Sequence, residues 1–237
     1  MVTESDVKRE CNGSMKPVGL LGGTSWVSTT HYYEKLNRAY QAKMGGLSSA
    51  PMLIYSVDFA AIAQAQTRGD WDHLGQVLGQ NAQALERAGA GSLAIGANTM
   101  HRCFDAIQSA VDIEVLHIAD GIAQNIGDTP TLLLGTAYTM ESDFLISRLR
   151  AQGCQIEIPT PQQRAEVHRI IFEELCQDLV IQASCDYFKH LAESFDGKVL
   201  LACTELGLVL DSESQPQVVD SLDCHVAMML DALATHN

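Results

Sequence analysis

The chain has 237 residues, of which 46% are hydrophobic and 19% charged, with a formal net charge of −14. That length and apolar content fit one large or two small α/β domains with real cores and exclude a disordered chain. The acidic balance excludes the clustered Lys and Arg of a nucleic-acid footprint and disfavours an anionic membrane surface, and no apolar run approaches the roughly 20 residues of a membrane span.

In chain order, residues 1–16 are polar and charged, without the apolar core of a secretory signal, and read as a short mobile tail. Short apolar runs at 18–21, 52–57 and 93–95 follow, with amphipathic segments at 28–44 and 71–88 between them. The pattern then repeats: runs at 131–134 and 198–202 enclose amphipathic segments at 140–152, 162–179 and 181–195. Runs of this kind are strands buried on both faces, and their alternation with helices predicts parallel sheets covered on each side. Residues 218–220 read as a last strand, and Ser221 as the cap of a closing amphipathic helix through about 234.

The two halves echo each other. Val18-Gly-Leu-Leu-Gly-Gly-Thr24 parallels Leu132-Leu-Leu-Gly-Thr136, and Leu93-Ala-Ile-Gly-Ala-Asn-Thr99 parallels Val199-Leu-Leu-Ala-Cys-Thr204. Duplication predicts an α/β fold of two pseudo-symmetric lobes, each a parallel sheet flanked by helices, with the active site in the cleft between them. The expected division is a tail at 1–16, a first lobe of 17–116 plus 208–237, whose last helix returns to it, and a second lobe of 117–207.

The seven cysteines, Cys11, Cys103, Cys154, Cys176, Cys185, Cys203 and Cys224, are scattered and show no CxxC spacing. No disulfide framework or structural metal site is expected, and the compartment reads as cytoplasmic. Gly22-Gly23 is followed by neither a dinucleotide fingerprint nor a P-loop lysine, so neither NAD nor ATP is expected.

Four strand-end turns carry small, hydroxyl or amide residues: Gly22 to Ser25, Ala97 to Thr99, Gly135-Thr136 and Cys203 to Glu205. Such turns expose backbone N–H groups that bind carboxylates without a basic side chain. Any one of them can be an ordinary helix cap; four at corresponding places point to a small-carboxylate site. Cys203, at the end of a buried strand, is the candidate base or nucleophile. His101 and His117 read either as its partners or as surface and capping residues.

At these positions the chain resembles the aspartate/glutamate racemases. The resemblance runs through the segments Gly19 to Tyr33, Ser56 to Phe59, Ala97 to His101, His117 to Asp120, Gly135 to Met140, Ile170 to Leu175, Cys203 to Leu206 and Val218 to Ser221. It implies racemisation without pyridoxal phosphate or any other cofactor, by two cysteines on opposite faces of the α-carbon, commonly in a homodimer. It also places Thr24, Asn98, Thr99, Thr136, Thr139 and Thr204 around the substrate or on its α-carboxylate, as in an oxyanion hole.

The chain departs from that pattern at one point. The second cysteine is Cys203, but the first, expected before Asn98, is Ala97. Three explanations compete: an engineered substitution, a naturally asymmetric enzyme using water or another side chain, and a changed reaction such as one-faced decarboxylation of a malonate-type acid. A non-catalytic carboxylate-binding relative is a further alternative. Cys103 is a poor substitute because it lies farther into the next helix. A side-chain carboxylate on the substrate needs a cation; Arg68, Arg102, Arg164 and His168 are the candidates, each also readable as a surface residue.

Overall fold

A computed structural model describes residues 16–177, 179–210 and 215–235; the expected tail, apart from Lys16, lies outside them. Strand β1 (Val18–Gly22) leads into helix α1 (Trp26–Met44), then β2 (Met52–Ser56), α2 (Phe59–Thr67), α3 (Trp71–Arg87) and β3 (Ser92–Ile95). A 3-10 turn (Thr99–Cys103), α4 (Phe104–Ala110), β4 (Glu114–Leu116) and α5 (Ile118–Ile126) complete the first run. The second run is β5 (Thr131–Leu134), α6 (Ala137–Met140), α7 (Asp143–Ala151), β6 (Ile156–Glu157), α8 (Pro161–Glu173), α9 (Gln182–Glu193), β7 (Lys198–Leu201), β8 (Val218–Asp220) and α10 (Ser221–Thr235).

These strands form two four-stranded sheets, ordered β2-β1-β3-β4 and β6-β5-β7-β8, with every pairing parallel. The identical order is the structural counterpart of the internal echo in the sequence. Successive side chains of a strand point to opposite faces, and the first lobe uses both. Val18, Leu20 and Ala94 pack with Tyr32 and Leu36 of α1 and with Leu222, Val226 and Met229 of α10. Leu21, Leu93 and Ile95 pack on the other side with Leu74, Leu78 and Leu85 of α3 and Ile107 of α4. In the second lobe, Leu132 to Leu134 and Val199 to Leu201 share one core with Ile118, Leu145, Ile170 and Phe188. Each such buried aliphatic contributes about 1.5–3 kcal/mol. No helix among the described residues is long and apolar enough to cross a membrane.

The segment 208–237, assigned from sequence to the first lobe, is divided. Strand β8 pairs with β7, Val199 opposite Val218 and Leu201 opposite Asp220, so it completes the second sheet. Helix α10 leaves that sheet and lies between the lobes, against α1 of the first and α5 of the second. Gly121 permits the α5 contact: a Cβ there would sit 2.7 Å from Met228 Sδ and 2.8 Å from the Cys224 carbonyl. Ser221 does not cap α10. Asp220 does, its Oδ1 accepting from the Leu222 N–H at 2.8 Å, while the Ser221 hydroxyl accepts from Asn98 Nδ2. The helix expected at 140–152 is broken by the extended Ser142, and that expected at 162–179 ends at Glu173, with a 3-10 turn at Leu175–Gln177.

Candidate functional site

The pseudo-symmetry fixes which turns correspond. Just beyond β3, Gly96 N–H donates to the Leu21 carbonyl at 2.8 Å; just beyond β7, Ala202 N–H donates to the Leu134 carbonyl at 2.7 Å. One residue farther along stand Ala97 in the first lobe and Cys203 in the second, each half-buried. Side-chain contacts join the lobes at these turns. Asn98 Nδ2 donates to Ser221 Oγ at 3.0 Å, and Thr99 Oγ1 lies 3.4 Å from Thr139 Oγ1, which lies 3.4 Å from Thr136 Oγ1. Four of the six expected substrate-binding residues therefore sit in these two groups. Thr204 donates instead to Glu205, and Thr24 follows β1, parallel neighbour of β3.

The first turn is tightly built. Gly23 has φ +87°, and a Cβ there would lie 2.3 Å from the Val57 backbone, so only glycine fits. Its N–H donates to Thr29 Oγ1 at 2.8 Å, so this donor is engaged within the protein and not offered to a ligand. Ser28 Oγ donates to the Gly96 carbonyl at 3.1 Å, tying the start of α1 to the Ala97 turn. Two polar atoms at the turns are buried without a partner: Thr24 Oγ1 and Asn98 Oδ1. A buried polar atom left so costs about 1–3 kcal/mol, which a ligand can recover.

The Cys203 turn holds an acidic partner that sequence reasoning missed. Cys203 Sγ donates to Glu205 Oε2 at 3.1 Å, and Thr204 Oγ1 donates to the same oxygen at 2.9 Å. Glu205 is itself buried. Burial first, and the Glu205 carboxylate next, hold the Cys203 thiol well above the ordinary thiol range. Thr204 thus supports Glu205 with its hydroxyl hydrogen instead of directing it outward. The signal was present in the sequence as a carboxylate two residues beyond the cysteine.

The two candidate histidine partners are structural. His101 Nδ1 donates to the Ala97 carbonyl at 3.0 Å and Nε2 accepts from Ile118 N–H at 3.2 Å, so both ring nitrogens are engaged. His117 caps α5 by accepting from Ala119 N–H at 3.1 Å and packs its ring on Phe104 at 4.6 Å and His101 at 4.8 Å. His225, on α10, completes the cluster, 5.6 Å from His101, between the Tyr32 hydroxyl and the Leu116 carbonyl. Burial lowers their pKa values to about 4 for His101, 2 for His117 and 3 for His225.

Cys103 is buried, with Sγ 3.7 Å from the Trp71 carbonyl, inside the α3–α4 core. Arg102 stacks over Trp71 at 4.2 Å, Arg164 pairs with Glu141 at 2.8 Å, and Arg68 ends α2. Of the four candidate cations, His168 reaches a site turn: its Nδ1 accepts from Ala137 N–H at 3.2 Å, beside the rings of Tyr138 and Phe172. Burial lowers its pKa.

Comparison with known proteins agrees over nearly the whole chain. Residues 21–229 match the Asp/Glu/Hydantoin racemase family model. The broad specificity amino-acid racemase RacX of Bacillus subtilis (strain 168) is 27% identical over 217 residues, covering 87% of this chain and 93% of that protein. An Asp/Glu racemase-like crystal structure from Yersinia pestis superposes with a TM-score of 0.84 at 36% identity, and an aspartate racemase homologue from Pyrococcus horikoshii OT3 with 0.80 at 33%. Both cover 92% of this chain and 99% of their own.

Proposed function

Since this chain belongs to the Asp/Glu/Hydantoin racemase family, isomerases that work without pyridoxal phosphate, we propose that it interconverts the enantiomers of a free amino acid by proton transfer at the α-carbon, with Cys203 as an acid/base. The observation that carries this reading is the half-buried Cys203 thiol, held on Glu205 just beyond the end of β7. The pair shares one proton. With that proton on the carboxylate, the sulfur is a thiolate and takes the α-hydrogen; with it on sulfur, the thiol returns a proton.

The unpartnered atoms suit an amino acid. Asn98 Nδ2 is engaged on Ser221, leaving Oδ1 as an acceptor for an α-ammonium, and Thr24 Oγ1 has a hydrogen for the α-carboxylate. The hydroxyls of Thr99, Thr136 and Thr139 lie together across the two lobes, and in this reading they stabilise the charge that gathers on that carboxylate as the α-carbon loses its proton. Tyr138, Phe172 and the neutral His168 favour a broad or apolar side chain over a second carboxylate.

Long incubation of single enantiomers of alanine, lysine, aspartate and glutamate, followed by chiral chromatography, tests the reading. The opposite enantiomer of at least one should accumulate with the native chain and not with Cys203→Ser. Ala97 also fits one-faced decarboxylation, which carbon dioxide release from a disubstituted malonate would reveal. The reading includes a cytoplasmic homodimer. Edge strand β2 exposes Ile54 and Tyr55, a surface a second copy would cover.

A further inference from the structure

We propose that this chain exchanges the α-hydrogen of one enantiomer of its substrate with solvent, with retention of configuration, much faster than it inverts that centre. The inference rests on the reading of Cys203 as an acid/base and assigns a second, faster activity to the same site. It follows from the inequality of the two corresponding turns. Cys203 carries an exchangeable proton on sulfur; Ala97, its counterpart in the first sheet, carries a methyl group that has none to give.

The residues around Ala97 do not replace the thiol. Both nitrogens of His101 are engaged, one of them on the Ala97 carbonyl itself. His117 accepts from Ala119 N–H with one nitrogen, and its ring is enclosed by Phe104 and His101. The Cys103 sulfur is directed to the Trp71 carbonyl within the core, and the Thr99 hydroxyl to Thr139. Thr24 and Asn98 retain unpartnered oxygens, but a hydroxyl and an amide bind a substrate without titrating near neutrality. None of these described residues is left to deliver a proton on this face, and water is taken as the donor there.

On the other face every step balances with water as the sole co-reactant. The Cys203 thiolate takes the α-hydrogen as a proton: the C–H bond breaks, an S–H bond forms, and the electron pair passes into the enediolate of the α-carboxylate. The half-buried thiol trades its proton for a deuteron in deuterated water. The same sulfur then returns the deuteron to the face it came from, forming C–D and restoring the thiolate. One C–H becomes one C–D, and the configuration is kept.

The test uses the full chain in deuterated water with each enantiomer of alanine, lysine, aspartate and glutamate. Loss of the α-proton signal by NMR is compared with the enantiomer ratio by chiral chromatography. One enantiomer should exchange faster than it inverts by about 10²- to 10⁴-fold, the usual contribution of one acid/base group. Ala97→Cys should bring inversion up toward the exchange rate, and Cys203→Ser, with native circular dichroism, should lose both. Exchange accompanied one-for-one by inversion, or equal exchange of both enantiomers, would overturn the inference while leaving Cys203 chemistry standing. Absence of exchange in both the native chain and Ala97→Cys would overturn it together with the reading beneath it.

Discussion

Acid should unfold this protein through its buried histidines. His101, His117 and His225 titrate at about 4, 2 and 3 in the fold because burial penalises the charged ring, against about 6.5 in the unfolded chain. A lowered folded pKa means that the unfolded chain binds more protons below 6.5, so stability is complete above that pH and is lost as the pH falls toward 4. Each histidine costs about 1.4 kcal/mol per pH unit in that window, roughly 2 kcal/mol at pH 5, and the three together at most about 6 kcal/mol. Asp220 opposes them. Burial raises its carboxyl to about 6, so protonation below that pH favours the fold by about 1 kcal/mol at pH 5. The net loss is a large part of the 5–15 kcal/mol that holds a domain together. Urea titrations followed by circular dichroism at pH 7, 6 and 5 should show the midpoint falling steeply below 6.5. His117→Asn, which keeps a cap acceptor for Ala119 but cannot titrate, should remove about a third of that slope. A midpoint flat from pH 7 to 5, or an unchanged slope in His117→Asn, would refute the reasoning.

Two further substitutions test the geometry. Gly121→Ala forces a methyl against Met228 and the Cys224 carbonyl where α5 meets α10, and should cost about 1–3 kcal/mol in urea titration. Glu205→Gln removes the carboxylate that raises the Cys203 thiol. Peptide mass spectrometry after brief iodoacetamide treatment should find Cys203 alkylated faster at pH 8 than in the native chain, because the thiolate forms without a neighbouring anion; an unchanged rate would count against the contact.

The fold was legible where burial writes itself into composition. Val18 to Leu21, Leu93 to Ile95, Thr131 to Leu134 and Val199 to Leu201 are covered on both faces, and a continuous apolar run is the mark of that position. Strands β4 and β6 have three and two residues, too few to show any period, and they rest on edges of their sheets. The side of the molecule joined by β8 was hidden because an apolar triplet does not name its partner strand. Around the candidate site, the turns could be read from their residue types, whereas the roles of individual side chains could not. His101 and His117 look like chemistry in sequence and are building material in space, because their partners are backbone groups no motif displays. His225 stands more than a hundred residues from both, and only the return of α10 brings it against His101. Ser221 suits a cap by type, but Asn98 takes its hydroxyl and Asp220 does the capping.

The decisive measurement is the rate at which the α-hydrogen of alanine, lysine, aspartate or glutamate is replaced in deuterated water, with the native chain and with a folded Cys203→Ala variant. If the sulfur at the end of β7 moves that proton, the native rate exceeds the variant's by about 10²- to 10⁴-fold. Equal rates in the two proteins would contradict the account.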